Sequence, residues 1–144
     1  MLLIGPSCQC GVPYSSINRI IGGSEAPPHS LPFQVALTNY HDKGSEPFCG
    51  GALISPNYVL TSAQCTEGKK ASSILVVVGE HNFQTKGDGE DYYDVQAIVT
   101  HPSYNPANSH NNDLALLKLS YSVNISSNAG TMKKNFSAHV LIVC

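Results

Sequence analysis

Six short apolar runs punctuate the 144-residue chain. They are Phe33–Thr38, Phe48–Ile54, Tyr58–Ala63, Ile74–Gly79, Tyr92–Thr100 and Asp113–Leu119, rich in Val, Ile, Leu and Tyr. Turn-forming clusters separate them: Asp42-Lys43-Gly44-Ser45, Ser55-Pro56-Asn57, Gly87-Asp88-Gly89 and the stretch from Pro102 to Pro106. Runs of this length and composition, bounded by Gly, Pro, Asn, Asp and Ser, predict β-strands. No long helical pattern intervenes, so the fold class is all-β, a small antiparallel barrel or sandwich. Residues 1–19 carry Pro, Ser, Gly and Cys without periodicity and read as an irregular leader. After Leu119 the pattern fades: Asn124 to Ser137 is polar, and only His139 to Cys144 regains strand character.

Composition narrows the picture. A hydrophobic share of 42% and a mean hydropathy of −0.07 suit one globular domain. A net charge of −2 with eight Lys and Arg scattered along the chain leaves no basic stripe for nucleic acid or an anionic membrane. The longest apolar runs are far too short to span a bilayer. Five cysteines point to an oxidising compartment. Two sequons, Asn124-Ile125-Ser126 and Asn135-Phe136-Ser137, are compatible with secretion. The opening Met1-Leu2-Leu3-Ile4-Gly5 lacks the charged start and apolar core of a signal peptide, so the signal of a secreted chain is expected upstream.

Several stretches carry candidate chemistry. Cys10-Gly11-Val12-Pro13 precedes Asn18-Arg19-Ile20-Ile21-Gly22-Gly23, and Ser30-Leu31-Pro32-Phe33-Gln34-Val35 follows. Phe48 to Cys65 reads FCGGALISPNYVLTSAQC, with a cysteine near each end. Gly79 to Glu90 holds two carboxylates ten residues apart, and Asn111-Asn112-Asp113 leads into an apolar strand. Each has an ordinary reading alone: a linker, a staple, a solvated loop and a turn residue or cap. Together, and in this order, they resemble the trypsin- and chymotrypsin-like serine proteases from about Cys10 to Val123.

The resemblance implies a six-stranded antiparallel Greek-key barrel over 20–123, the first of that family's two barrels. Residues 1–19 become a propeptide-like leader and 124–144 an atypical tail. It also implies a helical turn around Ser62–Thr66. Cleavage by an activating trypsin-like protease would fall between Arg19 and Ile20. Cys49 and Cys65 are expected to pair, removing about 3 kcal/mol of unfolded-state entropy. Cys144 is the candidate partner for Cys10, although it lies further from Asp113 than the family leads one to expect, and Cys8 is left over. The Gly79–Glu90 stretch is similar to the family's calcium loop, with Glu80 and Glu90 as carboxylates and Asn82 and Thr85 as carbonyl donors. A solvated loop is the alternative there, because a further acidic position of the family falls on Gly87. The six histidines show no metal-ligand spacing.

By the same resemblance Asp113 takes the place of the catalytic aspartate, and Gln64 stands where the family has its histidine. That histidine takes a proton from the serine nucleophile and returns it to the leaving amine. A glutamine amide does not titrate near neutral pH and cannot do this. No Gly-Asp-Ser-Gly segment, which would supply the nucleophile, occurs in the chain. The expectation is therefore a serine-protease homologue that is truncated and catalytically inactive, either a true non-catalytic protein or an incomplete gene product. A second barrel, or another protein, is the expected partner over the exposed barrel face. The alternative is a binding or regulatory module that engages a protease or other partner through the barrel loops. An active protease completed by a separately supplied second half is the third reading, and it needs Gln64 to be bypassed. Gln64 is further expected to donate its side-chain NH2 to Asp113.

Overall fold

A computed structural model describes residues 27–41, 46–85, 87, 89–107 and 111–124. Arg19, Ile20, Cys8, Cys10 and Cys144 lie outside these residues, as do the leader and most of the tail. Six strands follow in order: β1 (Gln34–Asn39), β2 (Cys49–Ser55), β3 (Tyr58–Thr61), β4 (Ile74–Val78), β5 (Asp91–Thr100) and β6 (Ala115–Leu119). A short helix α1 (Ala63–Thr66) and a 3-10 turn (Ala71–Ser73) join β3 to β4. All pairings are antiparallel and close a barrel in the order β1-β2-β3-β6-β5-β4. The expected all-β barrel is the observed fold. Its one long-range insertion places β6 between β3 and β5, which brings the residues after β3 beside those before β6.

Period-two alternation explains which side chains enter the barrel. Val35 and Leu37 of β1, Leu53 of β2, Val59 of β3 and Leu117 and Leu119 of β6 point into one buried cluster. On β4 the apolar run is continuous rather than alternating, and all five residues are buried. Ile74, Val76 and Val78 belong to the core cluster, whereas Leu75 and Val77 on the other face are buried outside it. A strand covered on both faces has no polar positions to spare, which is why Ile74–Val78 reads ILVVV.

Register breaks mark two bends. β2 and β3 slip between Leu53 and Ser55, and β5 and β6 slip between Val95 and Ala97. Irregularities of this kind increase local twist and help a sheet close on itself. Gly51 answers a different need. A Cβ there would stand 2.9 Å from both the Leu60 carbonyl oxygen and Val59 Cγ1, so no side chain fits between β2 and its neighbour.

The strands agree with the apolar runs to within a few residues at their ends, and the differences have local causes. The third run ends early because Ala63 enters α1 instead of the ladder. The sixth begins late: Asn112 takes a left-handed φ of 58°, and the Leu114 N–H donates to the Asn112 carbonyl, turning Asp113 out of the sheet before β6 starts.

Candidate functional site

The site lies at one end of the barrel, where β3 hands over to α1 and the loop after β5 returns into β6. Ser62 precedes α1 with extended backbone, but its hydroxyl does not cap the helix. It donates instead to Cys65 Sγ at 2.9 Å. Cys65 is bridged to Cys49 at the start of β2, with 6.1 Å between the Cα atoms, so the expected disulfide is present. Thr66 closes the turn by donating its hydroxyl to the Ala63 carbonyl at 2.9 Å.

The first N–H groups of any helix have no intrahelical acceptor. Asp113 supplies one from 49 residues away: its Oδ1 accepts the main-chain N–H of Gln64 at 2.8 Å. A carboxylate accepting an amide proton at the start of a helix is favourable in both hydrogen-bond and dipole terms. The contact seen between the two positions therefore comes from the backbone of Gln64, and the Gln64 side chain is exposed. This corrects the expectation that the carboxamide of Gln64 would be the donor to Asp113. The main-chain amide donates to that oxygen whatever side chain stands at the position.

Hydrogen bonds among the described residues of the β5–β6 connection lead up to Asp113. Tyr104 N–H donates to the His101 carbonyl, and Ser103 N–H donates to His101 Nδ1 at 3.1 Å. Asn105 and Asn111 form an isolated antiparallel bridge, and Asn112 Nδ2 donates to the Ser103 carbonyl at 2.8 Å. His101 N–H reaches the Leu114 carbonyl, tying the end of β5 to the residue after Asp113. Asn tolerates the left-handed region better than most residues, so Asn112 suits this turn.

A second polar pair adjoins the first and escaped the sequence reading. Tyr104 donates its hydroxyl to Glu67 Oε2 at 3.2 Å. Desolvation, then the charge and hydrogen bond of Glu67, then the charge of Asp113, push the Tyr104 phenol above its ordinary range. Glu67 and Tyr104 are 37 residues apart, and no local pattern links them.

Within the Gly79–Glu90 stretch, the described residues make short-range hydrogen bonds. Asn82 accepts twice, through its carbonyl from Thr85 N–H at 2.8 Å and through Oδ1 from Gln84 N–H at 2.9 Å. Both carboxylate oxygens of Glu90 accept from Gly87 N–H, at 2.9 and 3.1 Å. The donor set of Glu80, Asn82, Thr85 and Glu90 is all oxygen, the chemistry a hard cation takes.

A Trypsin family model matches residues 20–138. The chain belongs to the trypsin family. Among relatives of this trypsin-family chain, rat cationic trypsin-3 is 39% identical over 116 residues, covering 80% of this chain and 42% of the relative. Human chymotrypsin-like elastase family member 1 is 41% identical over 111 residues, covering 76% of this chain and 42% of the relative. A solved structure titled human heparin binding protein superposes with a TM-score of 0.64 at 30% identity, covering 76% of this chain and 46% of that one. The chain thus spans about two fifths of the length of the curated relatives it matches. Among the described residues no helix is long and apolar enough to cross a membrane.

Proposed function

We propose that this trypsin-family chain is a non-catalytic homologue, exported to an oxidising compartment, that keeps the barrel for binding and has lost the proton shuttle of peptide hydrolysis. One observation carries the reading. The position beside Asp113 is Gln64, joined to the carboxylate by its backbone, and its side chain has no proton to exchange near neutral pH. The reading holds whatever polypeptide stands beyond this chain, because Gln64 lies within it. In subtilisin, loss of the histidine alone lowers turnover by roughly six orders of magnitude, or about 8 kcal/mol of barrier. A similar loss here leaves no useful hydrolysis. Export is supported by the Cys49–Cys65 bridge.

The test is hydrolysis of arginine and tyrosine esters by the purified full chain, after treatment with trypsin to cut at Arg19 and quenching of the added trypsin. Background rates are expected. Turnover above background that disappears in Asp113→Ala would refute the reading.

A partner surface follows from the register. Ala52, Leu60, Leu116 and Val99 form one row across β2, β3, β6 and β5 on the face opposite the core. Val99 and the neighbouring Leu114 are 55% and 49% exposed. The occupant that fits is polypeptide corresponding to the part of the relatives this chain does not span, whether a second barrel or a separate protein. Val99→Glu with Leu114→Glu is expected to abolish co-purification of such a partner. Retention of the partner by that double variant, folded by circular dichroism, counts against this face.

A further inference from the structure

The barrel has two ends, and the second carries chemistry that the Asp113 site does not use. Val123 is buried and donates its N–H to the Pro56 carbonyl at 2.8 Å. Ser122 donates its hydroxyl to Asn57 Oδ1 at 3.0 Å. The next residue, Asn124, donates its main-chain N–H to Tyr93 Oη at 3.4 Å and is exposed. The chain is therefore pinned to the barrel up to Asn124, where a primary carboxamide stands at the surface outside any strand. The sequence from this position is Asn-Ile-Ser, with a hydroxyl two residues on and no proline between. Asn-X-Ser at an exposed position, in a chain carrying a disulfide, joins an acceptor motif to the compartment in which it is used.

We propose that Asn124 is a site of N-linked glycosylation. The donor is an oligosaccharide linked through pyrophosphate to a lipid, in the compartment that also forms the disulfide. Asn124 Nδ2 attacks the anomeric carbon of the donor, a C–N bond forms, and the bond from that carbon to the pyrophosphate oxygen breaks. The lipid pyrophosphate leaves with the bonding pair, and one Nδ2 proton passes to a base of the transferase. No oxidation or reduction occurs.

Position decides what the glycan does. β6 runs from the Asp113 end to the Asn124 end, and about six residues at roughly 3.4 Å each set the two ends about 20 Å apart. A glycan at Asn124 thus leaves the Gln64–Asp113 end open. It stands three residues from Tyr121, which at 74% is the most exposed large apolar side chain among the described residues. A bulky hydrophilic group beside that ring shields it and favours solubility.

The proposal rests on the export proposed above, so the experiment delivers the full chain behind a heterologous cleavable signal peptide in cultured animal cells. Failure of the site is then separate from failure of export from the chain's natural start. Cell-borne and secreted material with the Cys49–Cys65 bridge intact is digested with peptide N-glycosidase in heavy-oxygen water and mapped. The expected result is labelled aspartate at position 124 and a gain in gel mobility. Asn124→Gln and Ser126→Ala are each expected to remove the label while Asn135→Gln keeps it. The Tyr93 contact uses the backbone of Asn124, so Asn124→Gln preserves it, and Ser126→Ala leaves the asparagine itself untouched. Disulfide-bonded protein with no label at 124, or with label at Asn135 alone, overturns the proposal.

Discussion

Replacing Gly51 by alanine isolates one steric constraint from every other role of a glycine. The backbone at Gly51 is not in the left-handed region, so alanine meets no conformational penalty there. What it meets is matter: the Leu60 carbonyl oxygen and Val59 Cγ1 at 2.9 Å and Val35 Cγ2 at 3.2 Å. Val35 lies on β1 and the other two on β3, and Gly51 pairs directly with Val35. Relief requires β2 to move away from both neighbours at once, within a closed barrel that has no free edge to yield. Overpacking of this kind costs typically about 1–3 kcal/mol, and a backbone oxygen among the clashing atoms places the cost in the upper part. Alanine recovers about 0.4–1 kcal/mol by restricting the unfolded chain. The net is a destabilisation of about 2 kcal/mol, or roughly 8–16 °C in melting temperature for a domain of this size. Gly50→Ala is the control, because its nearest neighbours are Gln34 Nε2 at 3.4 Å and the Val35 carbonyl at 3.6 Å, ordinary contacts. Thermal unfolding of both variants under non-reducing conditions, followed by tyrosine near-ultraviolet dichroism, reads the difference. Equal melting temperatures for Gly51→Ala and Gly50→Ala would refute the reasoning.

Removing the bridge with Cys49→Ala and Cys65→Ala is expected to cost about 3 kcal/mol, set by the 16-residue separation, and a urea titration measures it. The Tyr104 phenol titrates above its ordinary value, so the folded state holds that proton more tightly than the unfolded one. Its contribution to stability is full below about pH 10 and is lost as pH rises through the elevated value. Glu67→Gln is expected to lower the ionisation point of Tyr104, read from tyrosinate absorbance, and an unchanged titration counts against the Glu67 contact. We further propose that calcium binds the Gly79–Glu90 turn through Glu80, Asn82, Thr85 and Glu90. Millimolar calcium is then expected to raise the melting temperature, and Glu90→Gln to remove most of the increase; no calcium effect on either protein sinks this site.

Much of the fold was legible in the chain because strand formation here depends on local features. Val, Ile and Leu runs flanked by Gly, Pro, Asn and Ser clusters give all six strands, whereas the burial of Ile74–Val78 on both faces came from the structure. The pairing of Cys49 with Cys65 and the importance of Asp113 and Gln64 were reached through resemblance, since nothing local joins residues 49 positions apart.

The sequence by itself determined that this is an all-β, disulfide-stapled domain of a protease-like family with Gln64 in place of a titrating side chain. Only the tertiary structure decided how that position is used. The insertion of β6 between β3 and β5 brings Asp113 to the open amide at the start of α1, so the carboxylate accepts from the Gln64 backbone and not from its side chain. The same closure sets Tyr104 against Glu67 and leaves Asn124 exposed at the far end. These contacts depend on which strand ends meet when the barrel closes. Chain order and side-chain periodicity do not encode that directly, because it follows from packing among residues far apart in sequence.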